Sequence, residues 1–120
     1  MQGLHLTADL SGCDPARPVM GDAAALRERC LAAVRAAGLA PVGEVFHRFE
    51  PGGVTGVVLL AESHVAVHTW PELGAVTLDV YVCNFGADNS ARARALLAAL
   101  EQAFAPAGAQ RHEIVRGTQA

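Results

Sequence analysis

Val76-Thr77-Leu78-Asp79-Val80-Tyr81-Val82-Cys83 alternates apolar and polar side chains almost without a break. A period of two marks a strand with one buried face. Val76, Leu78, Val80 and Val82 would then point to a core, and Thr77, Asp79, Tyr81 and Cys83 would share the opposite face. Immediately upstream, Pro71 to Gly74 is turn chemistry, and before it about Val65 to Thr69 reads as another strand. Val54 to Ala61 is a third, nearly continuous in apolar residues. Pro51-Gly52-Gly53 separates it from Val45, His47 and Phe49, which alternate with Glu44, Phe46 and Arg48. A connection this short cannot carry a parallel crossover, so these strands pair antiparallel.

Farther out the period changes. Asp22 suits the N-cap of a helix running to about Ala37, with Gly38 just past its end. Leu26, Cys30, Val34 and Ala37 share one face of it, with Arg27, Glu28 and Arg35 largely off that face. Asp88, Asn89 and Ser90 offer caps for a second helix to about Phe104, whose buried face carries Leu96, Leu97, Leu100 and Phe104. Leu4, Leu6 and Ala8 alternate with His5, Thr7 and Asp9 as a first strand, and Arg111 to Arg116 reads as the last. The order β-α-β-β-β-β-α-β predicts an α+β fold in one domain, residues 1–120. It is a two-layer sandwich, an antiparallel sheet with two helices packed on one face. The other face would be polar or would pack on a partner subunit, so a homodimer is expected.

Composition bounds the function. At 52% hydrophobic and 18% charged the chain can bury a core. A net charge of −3 without a basic cluster gives no footprint for nucleic acid. No apolar run approaches the roughly 20 residues of a membrane helix, and Met-Gln-Gly-Leu-His does not open like an export signal. Three cysteines, Cys13, Cys30 and Cys83, are an odd number without close pairing. They predict reduced thiols in a cytoplasmic protein.

Between the apolar runs lies Glu62-Ser63-His64-Val65-Ala66-Val67-His68-Thr69-Trp70-Pro71-Glu72. Two hydroxyls, two imidazoles, two carboxylates and an indole within this stretch describe a polar site on a β scaffold. His64 and His68 have helical spacing but sit on a strand without a third ligand, so no metal site is expected. His5, His47 and His112 read as hydrogen-bonded residues of the polar face, Cys30 as a core thiol, and Cys13 as a turn residue.

Glu62-Ser63-His64, His68-Thr69-Trp70-Pro71-Glu72, Asp79 and Cys83 together resemble the prokaryotic S-adenosylmethionine decarboxylase proenzymes, which are small pyruvoyl enzymes. His5, Gly12-Cys13, His47-Arg48-Phe49, Gly53-Val54-Thr55-Gly56 and Arg116-Gly117 extend the resemblance along nearly the whole chain. It implies self-cleavage between Glu62 and Ser63 into a β chain, 1–62, and an α chain, 63–120. Ser63 Oγ would attack the Glu62 carbonyl, elimination from the resulting ester would leave dehydroalanine, and its hydrolysis with loss of ammonia would give a covalent pyruvoyl group derived from Ser63 as cofactor. His68 would take the α-proton in that step. The pyruvoyl carbonyl would form a Schiff base with the substrate amine, and Cys83 would return a proton after decarboxylation. Phe49 and Trp70 match the positions that sandwich adenine, Glu72 the carboxylate on the ribose, and Thr55 a residue supporting processing.

The implied product is the aminopropyl donor of spermidine and other polyamines. Leu73-Gly74-Ala75-Val76-Thr77 and Val82-Cys83-Asn84 depart from the family's usual sequences, and Thr55 stands where serine is common. Ornithine or arginine decarboxylation is therefore the alternative activity, and a non-processing regulatory paralogue the alternative class. Strict alternation also sets Ser63 on the side of Val65 and Val67 and leaves His68 on the other. Either the chain bends near Ser63, or His68 acts from a different strand.

Overall fold

The computed structural model describes residues 1–118. Its strands are β1 (Gln2–Ser11), β2 (Pro41–Arg48), β3 (Val54–Leu60), β4 (Ser63–Trp70), β5 (Ala75–Cys83) and β6 (Gly108–Gly117). They form one sheet in the order β2-β3-β4-β5-β1-β6, every neighbouring pair antiparallel. β2 to β5 follow one another as hairpins. β1 then enters beside β5, and β6 closes the far edge against β1. The α+β two-layer reading holds.

The alternation in Val76 to Val82 is realised, since all four apolar residues are buried. Leu4, Leu6, Ala8 and Leu10 of β1 lie on the same side, with Val54 and Val58 of β3 and Val65 and Val67 of β4. Over them pack α2 (Ala23–Ala36) and α3 (Ser90–Phe104), through Leu26, Cys30 and Val34 and through Leu96, Leu100 and Phe104. Asp22 caps α2 as its position suggested, accepting hydrogen bonds from the Ala24 and Ala25 amides. Burial pushes the Cys30 thiol up to about 12. Arg27–Glu44, Arg94–Glu113 and Arg111–Glu101 pairs run between the helices and the outer strands along the rim of this layer.

Two features differ from expectation. A short helix, α1 (Pro18–Gly21), precedes α2 and buries Val19 and Met20. Thr69 explains how it docks: this buried hydroxyl donates to the Met20 carbonyl and accepts from the Val54 amide, both at 2.8 Å. Four residues give too little periodicity to read from sequence. In addition, β4 starts at Ser63 rather than Val65 and runs unbroken to Trp70.

The second face of the sheet carries no helix. It exposes Val45, Leu59 and Ile114 among the polar residues His5, His64, His68 and Asp79.

Candidate active site

Leu60 pairs with Ser63, so only Ala61 and Glu62 span the β3–β4 turn. Both are exposed. Glu62 has φ 55°, in the left-handed region. The Ser63 Oγ accepts a hydrogen bond of 3.0 Å from the backbone amide of Cys83, the last residue of β5. The Cys83 carbonyl in turn accepts from Asn89 Nδ2 at 2.9 Å. Asn84 completes a clamp on the start of α3: its Oδ1 accepts from the Asn89 amide and its Nδ2 bonds Ser90 Oγ. An open pocket of about 370 Å³ lies at this tip, lined by Met1, Glu62, Tyr81, Cys83 and Phe85. Sequence reading singled out Glu62, Ser63 and Cys83, and register brings all three together.

A second cluster lies at the far end of β4. Thr55 and His68 are direct partners across β3 and β4, and Thr55 Oγ1 is 3.0 Å from His68 Nδ1. The His68 ring stacks on Trp70 with centroids 5.9 Å apart. On the other side of Gly53, Phe49 packs edge-on to His47 at 4.5 Å and its amide donates to the Gly53 carbonyl. Gly53 has φ 92°, and a Cβ there would stand 2.7 Å from the Thr69 carbonyl oxygen, so only glycine fits between the two aromatics. Glu72 follows Trp70 in an exposed 3₁₀ turn, Pro71–Leu73.

The two clusters do not meet within one chain. Ser63 and His68 stand five positions apart along an unbroken strand, about 17 Å at the usual rise. No bend shortens that path. The Glu62–Ser63 turn therefore lies at one end of β4, and the imidazole with its aromatics at the other.

Between them on the open face sits a network that the sequence did not disclose. His5 Nε2 is 2.6 Å from Asp79 Oδ1, and Arg116 Nη1 approaches His5 Nδ1 at 3.2 Å. Arginine can only donate, so Nδ1 accepts and Nε2 carries the proton toward Asp79. His64 stacks on Tyr81 at 5.8 Å beside this pair. Alternation places His5 and Asp79 on the polar face, but residues this far apart in the chain are paired only by strand register. Among the described residues no cluster of His, Cys, Asp and Glu could hold a metal ion, and no helix is long and apolar enough to cross a membrane.

The S-adenosylmethionine decarboxylase family model matches residues 4–117, from the first strand to the last. The chain belongs to the S-adenosylmethionine decarboxylase family. S-adenosylmethionine decarboxylase proenzymes from Pyrococcus horikoshii and Aquifex aeolicus are 46% and 47% identical to it, over 72% and 68% of this chain. The matched part takes in 60% and 58% of those relatives, so the chain spans less than two thirds of their length. The crystal structure of the adenosylmethionine decarboxylase from Aquifex aeolicus superimposes with a TM-score of 0.88 at 35% identity, over 98% of this chain and 92% of that one. A Trypanosoma brucei AdoMetDC structure shares the fold at TM-score 0.60 and 15% identity. It matches 93% of this chain to 45% of its own. The family's fold and this chain's sheet are thus the same object, with Ser63 at a hairpin tip.

Proposed function

We propose that this chain is a self-processing, pyruvoyl-dependent S-adenosylmethionine decarboxylase that makes the aminopropyl donor for polyamine synthesis. The observation that carries the reading is the Glu62–Ser63 peptide at an exposed two-residue turn, with the Ser63 hydroxyl fixed by the Cys83 amide beside an open pocket. A group made in place from Ser63 fits there, since the pocket adjoins it and Cys83 lies within reach.

In processing, Ser63 Oγ adds to the Glu62 carbonyl carbon and loses its proton. The C–N bond breaks, the nitrogen takes a proton, and an ester replaces the amide. Loss of the Ser63 α-proton then expels the upstream carboxylate, separating residues 1–62 from residues 63–120, and the dehydroalanine left behind takes up water and releases ammonia to become the pyruvoyl group. When present, the pyruvoyl group supplies a carbonyl that joins the substrate amine and accepts the electrons released with carbon dioxide. Cys83 is the proton donor to the substrate carbon, and Thr55 holds the His68 ring so that one nitrogen faces the reaction.

The two clusters call for a second copy. A two-fold axis lying parallel to the open face and perpendicular to β4, passing over Ala66, would set Ser63 and Cys83 toward His68 and Thr55 of the partner subunit. It would also cover Val45, Leu59 and Ile114. By strand spacing, Phe49 and Trp70 flank a gap of about 10 Å over Gly53, wide enough for one flat base. Glu72 follows it, where a ribose would emerge. The three unpaired thiols support a cytoplasmic site of action.

The test is release of carbon dioxide from S-adenosylmethionine, ornithine and arginine by the purified, cleaved protein. Turnover of S-adenosylmethionine alone is expected. Preference for either amino acid, or no turnover by fully cleaved protein, contradicts the reading.

A further inference from the structure

We infer that the left-handed backbone of Glu62 is a positioning device for self-cleavage, so that the turn conformation, and not the Glu62 carboxylate, hastens breakage of the 62–63 bond. This rests on the self-processing reading above.

The contrast among the turns carries it. The β2–β3 and β4–β5 connections each place glycine at the left-handed position, Gly53 with φ 92° and Gly74 with φ 60°. The β3–β4 turn places Glu62 there with φ 55°. Among the described residues only one other non-glycine, Ala105 at the end of α3, has positive φ. A Cβ in this region is pressed against its own carbonyl oxygen. Ala61 is not left-handed, so this two-residue turn also lacks the primed geometries that match strand twist. It has the pattern in which the second position is reserved for glycine. The misfit therefore falls on the residue whose carbonyl is attacked.

The N→O shift relieves it. As the amide becomes an ester, the Ser63 amide nitrogen gains a proton and leaves the link between strands. The link then runs from the Glu62 carbonyl carbon through Oγ and Cβ to the Ser63 Cα, one bond longer. A longer link no longer forces the tight turn, so conformational energy held in the amide is released on the way to the ester.

The experiment times cleavage of newly made protein, in cell-free synthesis followed by gel and intact mass. It compares wild type with Glu62→Gly, Glu62→Asn and Glu62→Ala. Glycine and asparagine suit the turn, so these variants fold at least as readily. Glu62→Gly is expected to cleave about tenfold more slowly, equivalent to about 1.4 kcal/mol. Glu62→Asn should fall between, and Glu62→Ala, which keeps the misfit and loses the carboxylate, should stay within roughly threefold of wild type. Cleavage of Glu62→Gly at the wild-type rate overturns the inference and leaves self-processing intact. Equal slowing of Glu62→Ala and Glu62→Gly assigns the effect to the carboxylate and also overturns it. If wild type is not cleaved, this inference and the self-processing reading fall together.

Discussion

Ser63 is the one residue for which the proposed chemistry has no substitute, because its oxygen must first attack and then leave. Ser63→Ala should fold and remain a single chain by mass spectrometry, since its lost hydrogen bond sits at a strand end. Thr55 offers a subtler test. Its hydroxyl meets His68 Nδ1 at 3.0 Å, and a hydrogen bond to an imidazole is worth on the order of 1 kcal/mol. Thr55→Val keeps the shape and removes the bond, so processing or turnover should fall about fivefold. Thr55→Ser restores the hydroxyl and should recover most of the rate. At this scale Ser63, His64 and His68 stand out against a background of Ala, Val and Leu, whereas the roles of Phe49, Trp70, Glu72 and Cys83 come from the family resemblance alone. The sequence did not disclose Asn84 and Asn89 as the clamp holding Cys83. Asparagines beside a helix start look like caps whether or not they also bind a neighbouring strand.

At the scale of elements, α2 has the clearer origin. Asp22 accepts from two free amides of its first turn, and Asp22→Ala should cost about 1 kcal/mol, read as a lower urea midpoint. Cys30 on the same helix gives a pH dependence. Burial raises its folded value to about 12 from an ordinary 9.0. Above pH 9 the unfolded chain therefore loses a proton that the folded chain keeps. Stability contributed by this thiol is fully present below pH 9 and is lost as pH rises toward 12. The sequence has no lysine to titrate in the same window. Cys30→Ala should accordingly show a flatter decline of urea midpoint between pH 9 and 11. The strands from Val54 to Cys83 were legible because period-two alternation and Gly-Pro turns coincide. The start of β4 was not. Ser63 looks like a break in the apolar run, yet the two-residue turn places it directly opposite Leu60.

At the scale of the whole molecule, the sheet puts Ser63 and His68 at opposite ends of one strand, and in the proposed dimer a second copy joins them. Co-expression of Ser63→Ala with His68→Ala chains tests this. Each variant alone should remain uncleaved. Mixed dimers contain one site with an intact Ser63 and a partner's intact His68, so part of the His68→Ala chain should be cleaved. No cleavage in the mixture would confine the chemistry to one subunit. The open face with its exposed Val45, Leu59 and Ile114 is the face for which the sequence leaves a partner as one cover. Alternation already sets Ser63 and His68 on different faces, but it gives the face of a residue and not its distance from another.

The most direct measurement is the intact mass of the purified wild-type protein. Two chains divided between Glu62 and Ser63 are expected, the second beginning with a pyruvoyl group in place of Ser63. One undivided chain with an unmodified Ser63 would contradict self-processing.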